Sequence, residues 1–262
     1  MADHLVLIYQ FGKVGSTAIK TLLTAEGGFD VRHVHFMSDA NRRLFQDFSA
    51  HHGRPTTGGA FDAYAETRRA MEAAQSVSII TGARDIVPLT LSNVVQNPEI
   101  WLGAGCELTA AAVAAEIEGA LTAPRPHHYP SIYLNHFIRR WFDVELRALT
   151  GVDVLASPFP TERGYQIYRA GKTQALLIRH ENMAAAPAAL SAFLDREFNA
   201  LPSANTGATK PLGAAYERAK RELRLAPEFL STLQRFPWMQ ALYSDEERAR
   251  SARRWSLEPA AP

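Results

Sequence analysis

Five consecutive apolar residues, Leu5-Val-Leu-Ile-Tyr9, run straight into Gln10-Phe-Gly-Lys-Val-Gly-Ser-Thr17, and a helical pattern follows over residues 16–25. Such a run is too short for a buried helix and has no polar alternation, so it reads as a strand covered on both faces. The pattern recurs. Val31–Phe36, Val77–Thr81, Val152–Leu155 and Ala175–Ile178 are further short apolar runs. Helical periodicity separates or follows them at Phe61–Gln75, Ile86–Gln96, Leu108–Leu121, Ser131–Leu149, Pro187–Asn199, Tyr216–Leu225 and beyond Ser244. Strands alternating with helices predict an α/β fold with a parallel five-stranded sheet flanked by helices.

The 262 residues are predicted to form one such domain over 1–262. A loop at about 201–212, rich in Gly, Pro, Ser and Thr, reads as a lid over a ligand, and residues 213–256 as a helical C-terminal part. Lys and Arg number 28 against 27 Asp and Glu, a net charge of +1, which gives no global field toward nucleic acid or anionic membrane. The single cysteine, Cys106, excludes an intramolecular disulfide and a Cys-based zinc cluster. Leu5–Tyr9 is far shorter than a signal-peptide core or a membrane span, so a soluble cytoplasmic protein is expected.

The segment 10–17 carries the most chemistry. A loop after a parallel strand lies at the carboxyl edge of the sheet, where ligands bind. The following helix offers unpaired N–H groups and the positive end of its dipole. Gly12 and Gly15 let the backbone approach an anion, Lys13 supplies a cation, and Ser16 and Thr17 supply hydroxyls. Together they make a phosphate cradle. The order is not that of a Walker A loop, because Lys13 precedes Gly15. A second segment, Thr81-Gly-Ala-Arg-Asp85 through Ser92, places Arg84 just beyond the third strand and Ser92 in the following helix. A guanidinium there can hold a phosphate with two hydrogen bonds, and Ser92 can donate to the same group.

Together these two segments resemble the sulfotransferases that use 3′-phosphoadenosine 5′-phosphosulfate (PAPS). Gly12-Lys-Val-Gly-Ser-Thr17 is similar to that superfamily's 5′-phosphosulfate loop, and Arg84 to Ser92 to its 3′-phosphate motif, in the expected order. A closer resemblance is to a bacterial branch named for capsular polysaccharide synthesis. It extends over Gly12–Ile19, Arg84–Asn97, Trp141–Glu145, Pro158–Tyr168, Leu176–Asn182 and Tyr243–Glu246. The resemblance implies a P-loop-like, sulfotransferase-type sheet. It implies that Lys13 stabilises the leaving group, that Gly12, Val14, Gly15, Ser16 and Thr17 hold the 5′-phosphate, and that Arg84 and Ser92 hold the 3′-phosphate. It further implies that Thr206–Lys210 closes over the cofactor, with Lys210 reaching the 3′-phosphate. One residue departs from the pattern: Gly12 stands where the superfamily commonly has proline.

Sulfuryl transfer needs in-line positioning, charge stabilisation and a base for the acceptor hydroxyl. His35, near the carboxyl end of the second strand, is the first candidate base, with His33 on the same strand face. His136 and Asp143, seven apart on the long helix, and Glu181 are the others. The pairs His33/His35, His51/His52 and His127/His128 lack the companion spacing of a zinc site, and no metal is expected. Tyr165 and Tyr168, in the loop around Gly164, are candidates to line an acceptor cleft, as are Trp101, Tyr129, Tyr133 and Arg163; Trp141 belongs to an apolar stripe and Arg139 and Arg140 to a solvated helix face. The expected function is transfer of a sulfuryl group from PAPS, leaving 3′-phosphoadenosine 5′-phosphate (PAP), to a hydroxyl of a carbohydrate or other small metabolite. The alternatives are a P-loop nucleotide kinase or ATPase and a non-catalytic nucleotide-binding protein.

Overall fold

A computed structural model describes residues 4–53, 59–202 and 213–257. The chain divides into two compact units, Met1–Ala83 with Arg140–Ala204, and Arg84–Arg139 with Asn205–Pro262.

The first unit holds a five-stranded sheet of β1 (His4–Tyr9), β2 (Val31–Val34), β3 (Ser76–Ala83), β4 (Tyr165–Ala170) and β5 (Thr173–Arg179) in the order β2-β1-β3-β5-β4. β1 pairs in parallel with β2 and β3, and β3 with β5, whereas β4 pairs antiparallel with β5. Four strands therefore match the parallel expectation and the edge strand does not. Val152–Leu155, expected to be a strand, forms a turn instead. Val152 and Val154 are buried there, and the Asp153 carboxylate accepts a hydrogen bond from the Leu155 N–H at 3.0 Å, which closes the turn locally. The fifth strand is β4, joined to β5 through Gly171-Lys172, with Gly171 at φ 56°. Its sequence, Tyr-Gln-Ile-Tyr-Arg-Ala, is too polar to read as a buried run, as suits an edge.

Alternate residues of the strands pack on opposite faces. On one face Val6, Ile8, Ile80, Leu176 and Ile178 form a core with Ile19, Leu22 and Leu23 of α1 (Ser16–Glu26) and with Ala189, Leu190 and Phe193. Tyr9 and Phe11 meet Trp141 edge-on, with ring centroids 4.9 and 5.7 Å apart, which seats Trp141 in the core as its apolar stripe predicts. The unit also contains α2 (Asp39–His51), capped by Ser38, and α3 (Gly59–Ala73).

The second unit is helical. It contains α4 (Ile86–Gln96), α5 (Pro98–Leu102) and α6 (Ala110–Thr122), and after the undescribed stretch four helices from Gly213 to Trp255. Trp101 and Trp238 are buried with their indole N–H groups paired to Asn93 Oδ1 at 2.7 Å and to the Ile138 carbonyl at 2.9 Å. The long helix expected at Ser131–Leu149 is helical from Tyr129 to Thr150, but Ile132–Phe137 and Phe142–Arg147 wind as π-helix. Residues seven apart share a face of an α-helix, and His136 and Asp143 lie instead in two separate π-helical turns where that periodicity does not hold. Among the described residues no helix is long and apolar enough to cross a membrane.

Candidate functional site

The strand order places a topological switch between β1 and β3, because the chain leaves β1 toward β2 and returns across it to β3. In a sheet of this kind the carboxyl ends of the strands flanking the switch border the ligand crevice. The loop from Gln10 to Gly15 leaves the end of β1, and Arg84 is the residue after the last of β3.

The loop is built around Gln10, which is 1% exposed. Its side-chain oxygen accepts from the Gly12 N–H at 2.5 Å, and its nitrogen donates to Ser16 Oγ at 2.8 Å and to His33 Nε2 at 3.3 Å. The backbone is left-handed at Gly12 (φ 92°), at Lys13 (φ 63°) and at Gly15 (φ 90°). Lys13 pays strain for this conformation, since an L side chain in that region is disfavoured by about 1–2 kcal/mol. Gly15 is the N-cap of α1 and no side chain caps the helix there. A Cβ at Gly15 would stand 3.1 Å from the flexible Met183 Cε, and the φ of 90° is a left-handed conformation that favours glycine. Ser16 is buried, and a hydroxyl that accepts from Gln10 keeps its own proton to donate; Thr17 is exposed at the same helix end. Val14 is buried at 3% with its side chain packed over Gly82, where a Cβ would lie 2.8 Å from Val14 Cγ2. Of Val14, then, the backbone alone can face an anion.

His35 lies one residue beyond β2, in the connection to α2 rather than within the strand. Its Nδ1 is 2.9 Å from the Gln10 carbonyl oxygen. A carbonyl only accepts, so Nδ1 carries the proton and Nε2 presents its lone pair. Burial lowers the His35 pKa, partly offset by that hydrogen bond, which keeps the ring neutral near pH 7. The His33 ring lies 4.9 Å from it, edge-on. Burial, then the neighbouring His35 and Lys20, hold the His33 pKa down to about 4. Neutral His33 accepts from Gln10 through Nε2, so both rings share the same tautomer.

Glu145 fixes the segment that follows His35, a role the residue patterns do not reveal. The carboxylate is fully buried and accepts hydrogen bonds from Met37 N at 2.7 Å, Ser38 N at 2.9 Å, Asn41 Nδ2 at 2.5 Å, and the hydroxyls of Tyr9 and Ser38. All five donors are neutral, and charge-assisted bonds of this kind are the strong ones. Burial, then Glu145, push the Tyr9 phenol pKa far up. The Trp141 indole N–H meanwhile donates to the His35 carbonyl at 2.7 Å. His35 is thus held at its ring, at its carbonyl and, farther along the chain, through Met37 and Ser38.

The remaining candidates are more dispersed. Arg84 and Ser92 are half-buried in the second unit; Asp85 caps α4 by accepting from Val87 N at 3.1 Å. Ser92 falls on the less buried face of α4, with Pro88 and Val95. Tyr133, which feels the Arg84 charge, is 1% exposed and its hydroxyl has no hydrogen-bond partner among the described residues; burial and then Tyr129 raise its pKa and Arg84 opposes the rise. Lys210 and Thr206, and the lid at 201–212 apart from Leu201 and Pro202, lie outside the described residues. His136 is exposed, Asp143 pairs with Arg147 at 3.1 Å, and Glu181 is exposed in the 3₁₀ turn His180–Ala185. Tyr165 and Tyr168 are on β4, not in a loop; Tyr165 packs against the apolar core and Tyr168 is 9% exposed. Trp101 is likewise core. Arg179, 2% exposed, ties the end of β5 to the segment before β4 through the Thr161 carbonyl and to the turn that follows β5 through Asn182 Oδ1. Among the described residues no three His, Cys, Asp or Glu side chains converge as metal ligands.

Residues 128–244 match the family described as "Putative capsular polysaccharide synthesis protein". The matched stretch includes Trp141, Glu145, the β4–β5 hairpin and Arg179, and excludes the β1–α1 loop, Arg84 and Ser92. No curated protein and no solved structure matches the chain.

Proposed function

We propose that the protein is a PAPS-dependent sulfotransferase acting on a carbohydrate hydroxyl. The observation that carries the reading is the left-handed turn Gly12-Lys-Val-Gly15, which leads from a buried parallel strand into an α1 terminus that no side chain caps. A cradle of backbone N–H groups, a lysine and a hydroxyl is suited to a dianionic phosphate. The match to a capsular polysaccharide synthesis family supports a sugar as acceptor.

PAPS supplies the sulfuryl group and leaves as PAP. The acceptor oxygen forms a bond to sulfur as the bond from sulfur to the 5′-phosphate oxygen breaks. The acceptor proton passes to His35 Nε2, and the electron pair of the broken bond stays on the phosphate. Lys13 neutralises that charge, and Gly12, Gly15, Ser16, Thr17 and the Val14 backbone hold the 5′-phosphate. Arg84 and Ser92 hold the 3′-phosphate, with Lys210 as a further cation. No metal is required, since a sulfuryl group brings less charge than a phosphoryl group.

Calorimetric titration with PAP, with AMP and Mg-ATP as controls, tests the reading. PAP is expected to bind, and AMP to bind at least about tenfold more weakly, the equivalent of about 1.4 kcal/mol. Equal affinity for PAP and AMP, or preference for Mg-ATP, overturns it and favours a nucleotide kinase.

A further inference from the structure

The first unit contains a concave site of about 340 Å³ whose lining includes none of the residues given a role in the transfer chemistry. Phe36, from the connection after His35, and Tyr64 of α3 supply its apolar part, with ring centroids 4.8 Å apart and both rings half-buried. Phe36 also stacks on Phe45 at 4.9 Å, so the platform is braced from behind. The polar part comes from two helices. Asp39 pairs with Arg42 at 2.9 Å and with Arg68 at 3.2 Å, and Arg68 pairs in turn with Glu72 at 3.1 Å. Arg69 also lines the space and forms no ion pair among the described residues.

This mixture discriminates among ligand classes. An inorganic anion would meet two carboxylates, and a cation would meet three guanidinium groups. A polyhydroxylated ring satisfies both, because each hydroxyl accepts from a guanidinium and donates to a carboxylate. The C–H face of such a ring covers apolar aromatic surface. The volume lies at the small end of ligand pockets, which suits one sugar unit of a longer chain. The Glu145 clamp on Met37 and Ser38 fixes the wall that carries Phe36, so the cavity is preorganised.

We propose that the cavity formed by Phe36, Tyr64, Asp39, Arg42, Arg68 and Arg69 is a binding site for a neutral sugar ring. That the sugar belongs to the sulfuryl acceptor rests on the function proposed above; the binding itself does not.

Saturation-transfer NMR on the full chain without cofactor tests it, using the methyl glycosides of glucose, galactose and mannose, with inorganic phosphate as competitor. At least one glycoside should bind through its ring C–H groups. Replacing Tyr64 by Ala should weaken binding about two- to tenfold, by the usual worth of an aromatic contact. Arg42→Ala and Arg69→Ala change exposed helix positions that leave folding intact, and each should weaken binding by about two- to fivefold. Binding by none of the glycosides, equal binding in all three variants, or full displacement by phosphate overturns the site. A PAP titration run in parallel separates the two claims. PAP binding without sugar binding removes only the cavity, and sugar binding without PAP binding leaves the cavity and removes the transferase.

Discussion

The Nδ1 of His35 lies 2.9 Å from the carbonyl oxygen of Gln10, the residue that opens the phosphate-type loop. One hydrogen bond thereby sets the histidine tautomer and ties it to the loop that would hold the sulfuryl donor. His35→Asn keeps a donor near that carbonyl and loses the Nε2 lone pair. The expected outcome is a fall in kcat of about 10²–10⁴-fold, the usual share of a general base, with PAP affinity unchanged. Because burial lowers the His35 pKa below its ordinary 6.5, the wild-type rate should stay on its plateau at neutral pH and fall only as pH drops below that value. A transfer rate in His35→Asn equal to wild type removes the role.

Glu145 gives a stability prediction of a different kind. Glu145→Gln replaces one acceptor oxygen with an amide that points N–H groups at donors. Leaving a buried donor unsatisfied costs about 1–3 kcal/mol, and either oxygen serves at least two donors. Urea unfolding should show a loss of about 2–5 kcal/mol for Gln, and at least as much for Ala. A loss below about 0.5 kcal/mol, the range of ordinary surface changes, contradicts the clamp.

These two residues show what a sequence carries and what it does not. β1, β3, α1 and α4 were readable because uninterrupted apolar runs and turn residues are local signals, and α4 has the expected bounds, Ile86–Gln96. The loop was readable because glycine, lysine and hydroxyl residues sit side by side. Glu145 was not, since its donors lie 104 to 136 positions away in the chain and meet it only in the folded unit. β4 escapes a reading by apolar runs because Gln166 and Arg169 interrupt its apolar residues, and Val152–Leu155 reads as a strand although burial alone does not make a ladder. His35 stands at a strand end in the sequence, but its tautomer depends on a backbone carbonyl from another strand end.

Protonation of His33 should undo the loop from within. The neutral ring accepts from Gln10 Nε2, and a charged ring has only donors to offer the same amide. The folded pKa, about 4, lies below the ordinary 6.5, so the unfolded chain binds the proton more readily. The contribution to stability is therefore complete above about pH 6.5 and is lost as pH falls from there toward 4; a shift of this size corresponds to at most about 3 kcal/mol. Unfolding at pH 7.5 and at pH 5 should show the difference, and His33→Gln should flatten it. PAP binding to the folded protein should hold across this window and weaken only as pH approaches about 4, where the folded His33 itself takes up the proton and Gln10 ceases to orient Gly12 and Ser16. An identical pH slope in His33→Gln and wild type counts against the linkage.

Lys13 separates fold from function most cleanly. Its φ of 63° is a left-handed conformation that strains any residue with a Cβ. Lys13→Ala keeps the strain and loses the cation. Lys13→Gly loses both, and relief of about 1–2 kcal/mol of left-handed strain outweighs the roughly 0.4–1 kcal/mol of added unfolded-state entropy. Thermal unfolding should place Lys13→Gly at or above Lys13→Ala in stability, while sulfuryl transfer falls at least about a hundredfold in both, as for removal of a transition-state charge partner. Full activity in either variant removes Lys13 from the chemistry. If both lose activity and Lys13→Gly is the less stable, the left-handed backbone at position 13 is not the source of strain.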